Sequence, residues 1–153
     1  MGISDYIRGI REAIGHDYLL LSGVTAIPRD SAGRVLLVRT VDFGIWGTVG
    51  GAVDPDESPA DAIRREVREE LGVDFVADEI LGAFGGPGYR NTYPNGDRVG
   101  YTTVVFGGSI NGLPTPDQQE IREVGWFAEG DLAGLEFEPV SRSILTDLGL
   151  LES

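Results

Sequence analysis

Cysteine is missing from all 153 residues. Its absence excludes disulfides, thiolate metal sites and cysteine nucleophiles. Histidine is almost missing, with His16 the single example. One imidazole cannot build a multi-histidine zinc centre, and a Ser-His-Asp triad would have to rely on His16 alone. Lysine is absent too, since all twelve basic residues are arginines, as a GC-rich coding bias would produce. No apolar run approaches the length of a membrane span. Residues 1–17 are charged and lack the apolar core of a secretion signal, so a cytoplasmic protein is expected. Positive charge is scarce: 12 basic residues face 25 acidic ones, for a net charge of −13. A surface that acidic suits neither bare nucleic acid nor an anionic membrane, and neither is expected as a partner.

What is present is ordinary for a globular protein, with 41% hydrophobic and 24% charged residues. The length fits one domain with a proper core, over residues 1–153. Tyr6, Ile7, Ile10 and Ile14 recur at helical spacing behind Ser4, a suitable N-cap, and predict a short amphipathic helix over 4–14. Strands are expected over 19–27, 34–40, a glycine-broken 41–49, 75–84 and 123–127, and one beginning near Val99. Asn95-Gly96 marks a hairpin, because Asn-Gly favours positive φ. Residues 110–119 read as a polar loop and 139–148 as a closing helix. The strongest helix is 58–71, with Ser58 as N-cap, Pro59 in the first turn and Gly72 as the stop. Mixed strands around one central helix, with a terminal helix, imply a mixed sheet flanked by helices.

That central helix carries Glu66, Glu69 and Glu70 at i, i+3 and i+4, one acidic cluster on one face. Ile63, Val67 and Leu71 form the adjoining apolar stripe, so the glutamates lie at the rim of the packing. Such a run is either a solvated helix face or the seat of a hard divalent cation, which prefers oxygen ligands. The glycine pair at 50 and 51 permits a sharp bend beside the helix, and a carbonyl there could complete a metal shell.

The whole stretch 51–73, GAVDPDESPADAIRREVREELGV, resembles the Nudix box GX5EX7REUXEEXGU, where U is aliphatic. Gly51, Glu57, Arg65, Glu66, Glu69, Glu70 and Gly72 fill its fixed letters, and Val67 and Val73 its aliphatic positions. At roughly 7% usage per residue type, a chance match in a chain this long is on the order of one in a million. The resemblance implies a Nudix-type α/β/α sandwich with a mixed central sheet. It implies a Mg²⁺-dependent pyrophosphohydrolase, with Mn²⁺ an acceptable substitute, that cleaves a nucleoside diphosphate linked to a moiety X. Glu66, Glu69, Glu70 and the Gly50 carbonyl are the metal ligands it implies, with Arg65 orienting the glutamates and Glu57 in a supporting role. The general base is either a box glutamate or a loop glutamate outside the box, for which Glu120 is the candidate.

Substrate contacts are expected from the loop after the helix. Tyr89 or Tyr93 would stack on a base, and Arg90 or Arg98 would pair with phosphate. The competing reading of 93–98 is plain hairpin chemistry. Trp46 precedes the glycine pair where the family often has Trp-x-x-Pro-Gly-Gly; Val49 replaces that proline, and Trp46 itself reads as packing rather than a stacking platform. His16 reads as structural or exposed. The partner is a small nucleotide, with ADP-ribose or a nucleotide sugar the first expectation. A MutT-type nucleoside triphosphate pyrophosphohydrolase is the second, and a non-catalytic nucleotide-binding module the third. A homodimer is one assembly the resemblance allows.

Overall fold

The computed structural model describes residues 4–42 and 44–153. In chain order the elements are α1 (Asp5–Ile14), β1 (Leu19–Pro28), β2 (Val35–Thr40), β3 (Trp46–Gly47), β4 (Val49–Ala52), α2 (Pro59–Leu71), β5 (Asp74–Phe84), β6 (Arg90–Thr92), β7 (Arg98–Asn111), β8 (Ile121–Phe127) and α3 (Pro139–Asp147). Short 3₁₀ turns at Pro87–Tyr89 and Glu129–Gly134 join them, neither signalled by the sequence pattern. The mixed architecture is the one expected. Its strands divide into two sheets: β4-β1-β7-β5, with β6 also on β7, and β3-β2-β8. The β1–β7 pair is parallel and every other pair is antiparallel.

Two apolar cores fill the layers. In one, Ile63, Val67 and Leu71 of α2 pack with Val24 and Ala26 of β1. In the other, Ile144 and Leu145 of α3 pack with Ile27 and Val105. β2 serves both cores by alternation, Leu36 and Val38 in the first and Val35 and Leu37 in the second. A strand buried on both faces reads as a continuous apolar run, and VLLV is that run.

Several boundaries differ from expectation. The strand expected over 41–49 is two short strands, and Val41 and Asp42 form a turn; Phe43 lies outside the described residues. The hairpin is present between β6 and β7, but only Gly96, at φ 96°, takes positive φ. Gly96 N–H donates to the Tyr93 carbonyl, with Pro94 and Asn95 between them. Proline at the second turn position pre-sets this geometry, so Asn95 need not become left-handed. The loop expected over 110–119 begins later, since β7 runs to Asn111, and β8 starts two residues early at Ile121. Among the described residues no helix is long and apolar enough to cross a membrane.

Candidate active site

α2 owes its placement to local chemistry. The Ser58 hydroxyl accepts from Asp61 N–H, Pro59 occupies the first turn, and Gly72 closes the helix at φ 69°, donating to the Arg68 carbonyl. The buried positions are Ala62, Ile63, Glu66, Val67, Glu70 and Leu71. Glu66 and Glu70 therefore share the inward face with the apolar stripe, while Glu69 is half-buried. Glu66 retains 9% of its exposure and Glu70 only 5%. Carboxylates are rarely buried this deeply without a compensating charge.

Arg65 compensates part of that charge. Its Nε and Nη2 donate to Glu57 at 2.7 and 2.9 Å, and Nη1 donates to Glu66 at 2.9 Å and Glu69 at 3.2 Å. Nη2 also reaches the Ala52 carbonyl at 3.0 Å, which ties helix to strand. Glu57 in turn accepts from Asp54 N–H. The fork from Arg65 holds the Glu57 carboxyl below the usual range. The result is a rigid mount for two of the three clustered glutamates.

Glu70 is outside that mount. Its Oε2 is buried and has no hydrogen-bond partner among the described residues. Burial, then the like charges of Glu66 and Glu120, push its carboxyl well up. Glu66 is pushed up to about 7: burial raises it, Arg65 opposes, and Glu69 and Glu120 add to the rise. Among the described residues no three carboxylate or imidazole groups converge into a finished cage. Three mutually repelling glutamates with one orphaned buried oxygen are nevertheless the donor set a hard cation would satisfy.

The double glycine is a steric requirement. A Cβ on Gly51 would lie 2.5 Å from the Glu66 carboxylate, and one on Gly50 would lie 2.2 Å from the Val24 carbonyl oxygen. Gly50 lies opposite Thr25 in the β1–β4 pairing, so only glycine allows strand and glutamate to approach this closely.

Glu120 joins the cluster from the loop before β8, half-buried, its carboxyl raised by burial and then by Asp117 and Glu69. It is held by a device the sequence pattern did not reveal. Asp117 Oδ1 accepts three backbone N–H groups, from Gln119, Glu120 and Ile121, at 2.9 to 3.0 Å. Asp117 N–H donates to the Glu70 carbonyl and Thr115 N–H to the Leu71 carbonyl, which fastens this loop to the end of α2. The signal available was Asp followed by exposed amides, an Asx turn.

These groups face a cleft of about 710 Å³. Gly50, Arg65, Glu66, Glu69, Glu70 and Glu120 line one end of it. Tyr93 lines it further along, its hydroxyl 3.1 Å from that of Tyr101. Three expected substrate contacts are not among its walls. Tyr89 is buried in the second core and donates to Asp147 at 2.5 Å, beside a separate surface dent of about 390 Å³. Arg90 is exposed, its guanidinium 5.4 Å from the Tyr18 ring centroid. Arg98 turns toward the segment after α1, its Nε on the His16 carbonyl and its Nη2 near Asp17. The physical reason is register: Arg90 pairs with Gly100 and Arg98 with Thr92, so both arginines lie on the same face of the β6–β7 hairpin, and both are exposed. Trp46 is buried in the second core against Phe127. Unsignalled in the sequence is Glu138, which lines the cleft, caps α3 through Ser141 and Val140 N–H, and accepts from Asn91.

A NUDIX domain model matches residues 19–148, and the chain belongs to the Nudix hydrolase family. An NAD-capped RNA hydrolase NudC from Stutzerimonas stutzeri is 33% identical over 113 residues, 72% of this chain and 37% of that protein. The chain thus spans a little over a third of the length of that curated relative. The crystal structure of a MutT protein from Methanosarcina mazei Go1 matches with a TM-score of 0.70 at 26% identity, covering 87% of this chain and 95% of that one. An ADP-ribose pyrophosphatase from Streptococcus suis shares the fold, with a TM-score of 0.65 at 24% identity over 85% of this chain and 89% of that one.

Proposed function

We propose that this chain is a Mg²⁺-dependent pyrophosphohydrolase that cleaves a nucleoside diphosphate linked to a second moiety, with Mn²⁺ able to replace Mg²⁺. The observation that carries the reading is the unpartnered, buried Glu70 oxygen beside buried Glu66, at the mouth of a cleft. Burying such a pair costs several kcal/mol unless a cation is taken up, on the order of magnitude expected for desolvated charge. The cleft supplies little else. Among the described residues its basic side chains are Arg11 and Arg65, and both are already committed to carboxylates and carbonyls. A diphosphate entering a chain of net charge −13 therefore needs divalent counter-charge.

Glu66, Glu69, Glu70 and the Gly50 carbonyl would hold the ion. When bound, it supplies charge neutralisation at the phosphoryl oxygens. Arg65 keeps Glu66 and Glu69 in place through its fork. Glu120, or a box glutamate, takes the proton of a water that attacks phosphorus, and carboxyls raised above the ordinary glutamate value suit that task. One P–O bond forms from water, the anhydride P–O bond breaks, and a nucleotide and a phosphorylated second moiety leave.

ADP-ribose or a nucleotide sugar is the preferred substrate. The relatives' names point the same way, because NAD and ADP-ribose each contain a diphosphate esterified at both ends. The acidic surface disfavours the polynucleotide part of a capped RNA. A MutT-type triphosphate activity is the second reading, supported by the structural likeness to the Methanosarcina protein. A nucleotide panel with Mg²⁺, resolved by chromatography, tests the proposal. Hydrolysis that disappears with chelator is expected. A wild type inert on every nucleotide, binding one equally well as Glu69→Gln, would replace it with a non-catalytic module.

A further inference from the structure

The family match begins at Leu19, so α1 lies before it. Yet α1 walls the same cleft as the glutamates, through Ile7 and Arg11. It buries no side chain completely; Ile7, Ile10 and Ile14 are half-buried, and Tyr6, at the edge of the same stripe, is 53% exposed. Apolar packing alone is a weak hold for a helix this exposed.

Polar clamps at its C-terminal end secure it instead. Arg11, only 10% exposed at its side chain, donates to the carbonyls of Gly15 at 3.1 Å and Asp17 at 2.6 Å, and across to that of Arg98 at 2.9 Å. Its Nε lies 3.6 Å from Asp97. Asp97 also meets His16 Nδ1 at 2.7 Å and Asn95 at 3.2 Å. The guanidinium thus fastens the helix end to the first residue of β7 and to the tip of the hairpin that carries Tyr93. Three hydrogen bonds to carbonyls and the ion pair with Asp97 commit this guanidinium to the fold, so its charge is already balanced before a ligand arrives.

The end of the cleft between α1 and the hairpin is consequently walled by Ile7, Tyr93, Asn95 and the Asp97 carboxylate, with its one arginine consumed. Such walls accept an uncharged, partly apolar group and repel a further phosphate. We infer that α1 is a specificity element: Ile7 contacts the neutral end of a diphosphate esterified on both sides, and Arg11 is a positioning residue that fixes Ile7 there. This inference rests on the pyrophosphohydrolase reading and adds to it the residues that select the substrate.

The test compares ADP-ribose and UDP-glucose with dGTP, using the full chain and Mg²⁺. The wild type turns over at least one of the two diesters with a higher kcat/KM than dGTP. Ile7→Ala raises KM for that diester about fivefold to tenfold while kcat changes less than about twofold, and dGTP kinetics hardly move. Arg11→Ala shows the same KM-weighted loss, and Arg11→Lys fails to restore it because an ammonium cannot span three carbonyls. Tyr6→Ala is the surface control and matches the wild type. The rise in melting temperature on adding Mg²⁺, read in all variants, stays unchanged and reports that the fold and the glutamate end are intact. Preference for dGTP, or an Ile7→Ala variant whose KM values for diester and triphosphate move together or not at all, overturns the inference while leaving the hydrolase reading standing. A wild type inert on every nucleotide overturns both.

Discussion

The two ends of the cleft are built on opposite principles. At the glutamate end, charged side chains are buried, crowded and locked: Arg65 alone binds Glu57, Glu66, Glu69 and the Ala52 carbonyl. At the distal end the groups of α1 are half-exposed and held from outside by a few polar clamps. Rigidity is concentrated where the proposed divalent ion would need fixed oxygen ligands, and tolerance is left where the proposed substrate moiety would be admitted. Mutations should therefore differ in kind as well as size between the ends, with kcat and metal response lost at one and KM at the other.

The largest effect is expected at Glu70. Glu70→Gln removes the charge whose orphaned oxygen the metal would occupy, while keeping the side-chain volume. Turnover should fall by at least about a hundredfold, and the Mg²⁺-induced rise in melting temperature should shrink or vanish. The metal-free variant should be no less stable than the metal-free wild type, since the amide cannot ionise against Glu66 and Glu120. A variant that loses activity but keeps the full Mg²⁺ stabilisation would place the metal elsewhere.

Next come the two glycines, which separate backbone from side-chain crowding. Gly50→Ala drives a Cβ into the Val24 carbonyl and should cost about 1–3 kcal/mol by parting β1 from β4. Gly51→Ala pushes on a Glu66 carboxylate that Arg65 prevents from yielding. Its main loss should be in metal affinity, about tenfold or more by titration, with a smaller change in stability. Equal stability losses in both would show that Glu66 swings away freely and that the mount is looser than the hydrogen bonds imply.

This contrast also explains what the sequence made legible. The glutamate end follows from i, i+4 spacing, a capped helix and fixed glycines, all local signals that tertiary context cannot easily reassign. The stripe Ile63, Val67 and Leu71 places the three glutamates at its rim; burial of Glu66 and Glu70 on the inward face itself is set by the close approach of β4. The distal end depends on which way hairpin side chains leave the sheet, and composition is silent on that. Arg90 and Arg98 carry suitable charge for phosphate, but the β6–β7 register sends one toward Tyr18 and the other toward Asp17. Tyr89 was a candidate by type, and its hydroxyl is spent on Asp147 across more than fifty residues of chain. Asp117 and Glu138, by contrast, act mainly through backbone amides, a role that no single residue type announces.

A smaller but sharper effect concerns pH and metal together. Glu66 titrates at about 7 in the folded chain, against an ordinary glutamate value of 4.5, with burial as the main cause. The folded protein therefore binds more protons than the unfolded one between those values. Stability from this group is complete below the ordinary value and is lost as pH rises through about 7. In chelator the unfolding free energy should decline from pH 5 to pH 8, by on the order of a few kcal/mol at most. Mg²⁺ competes with that proton, so its stabilisation should grow over the same interval. A Mg²⁺ increment independent of pH would detach Glu66 from the metal.

The smallest effect is expected at the anchor of the distal end, and its sign is opposite. Asp97 is held below the usual carboxylate range, first by the His16 hydrogen bond, against burial, with Asn95 and Arg11 adding to it. A depressed folded value means its contribution is present above the ordinary value and is lost only as pH falls through the lowered one. Between pH 5 and 8 the Asp97 carboxylate thus stays ionised while the glutamate end titrates. His16 is 65% exposed at its side chain, so His16→Ala removes one solvent-screened contact and leaves the Arg11 fork to hold α1. KM for the preferred diester should rise less than about threefold, without a change in the pH profile of kcat. Asp97→Asn should do somewhat more, because it also breaks the pairing with Arg11. If either variant instead shifted the pH profile of kcat or abolished the Mg²⁺ response, the two ends would be coupled and the division of labour between them would fail.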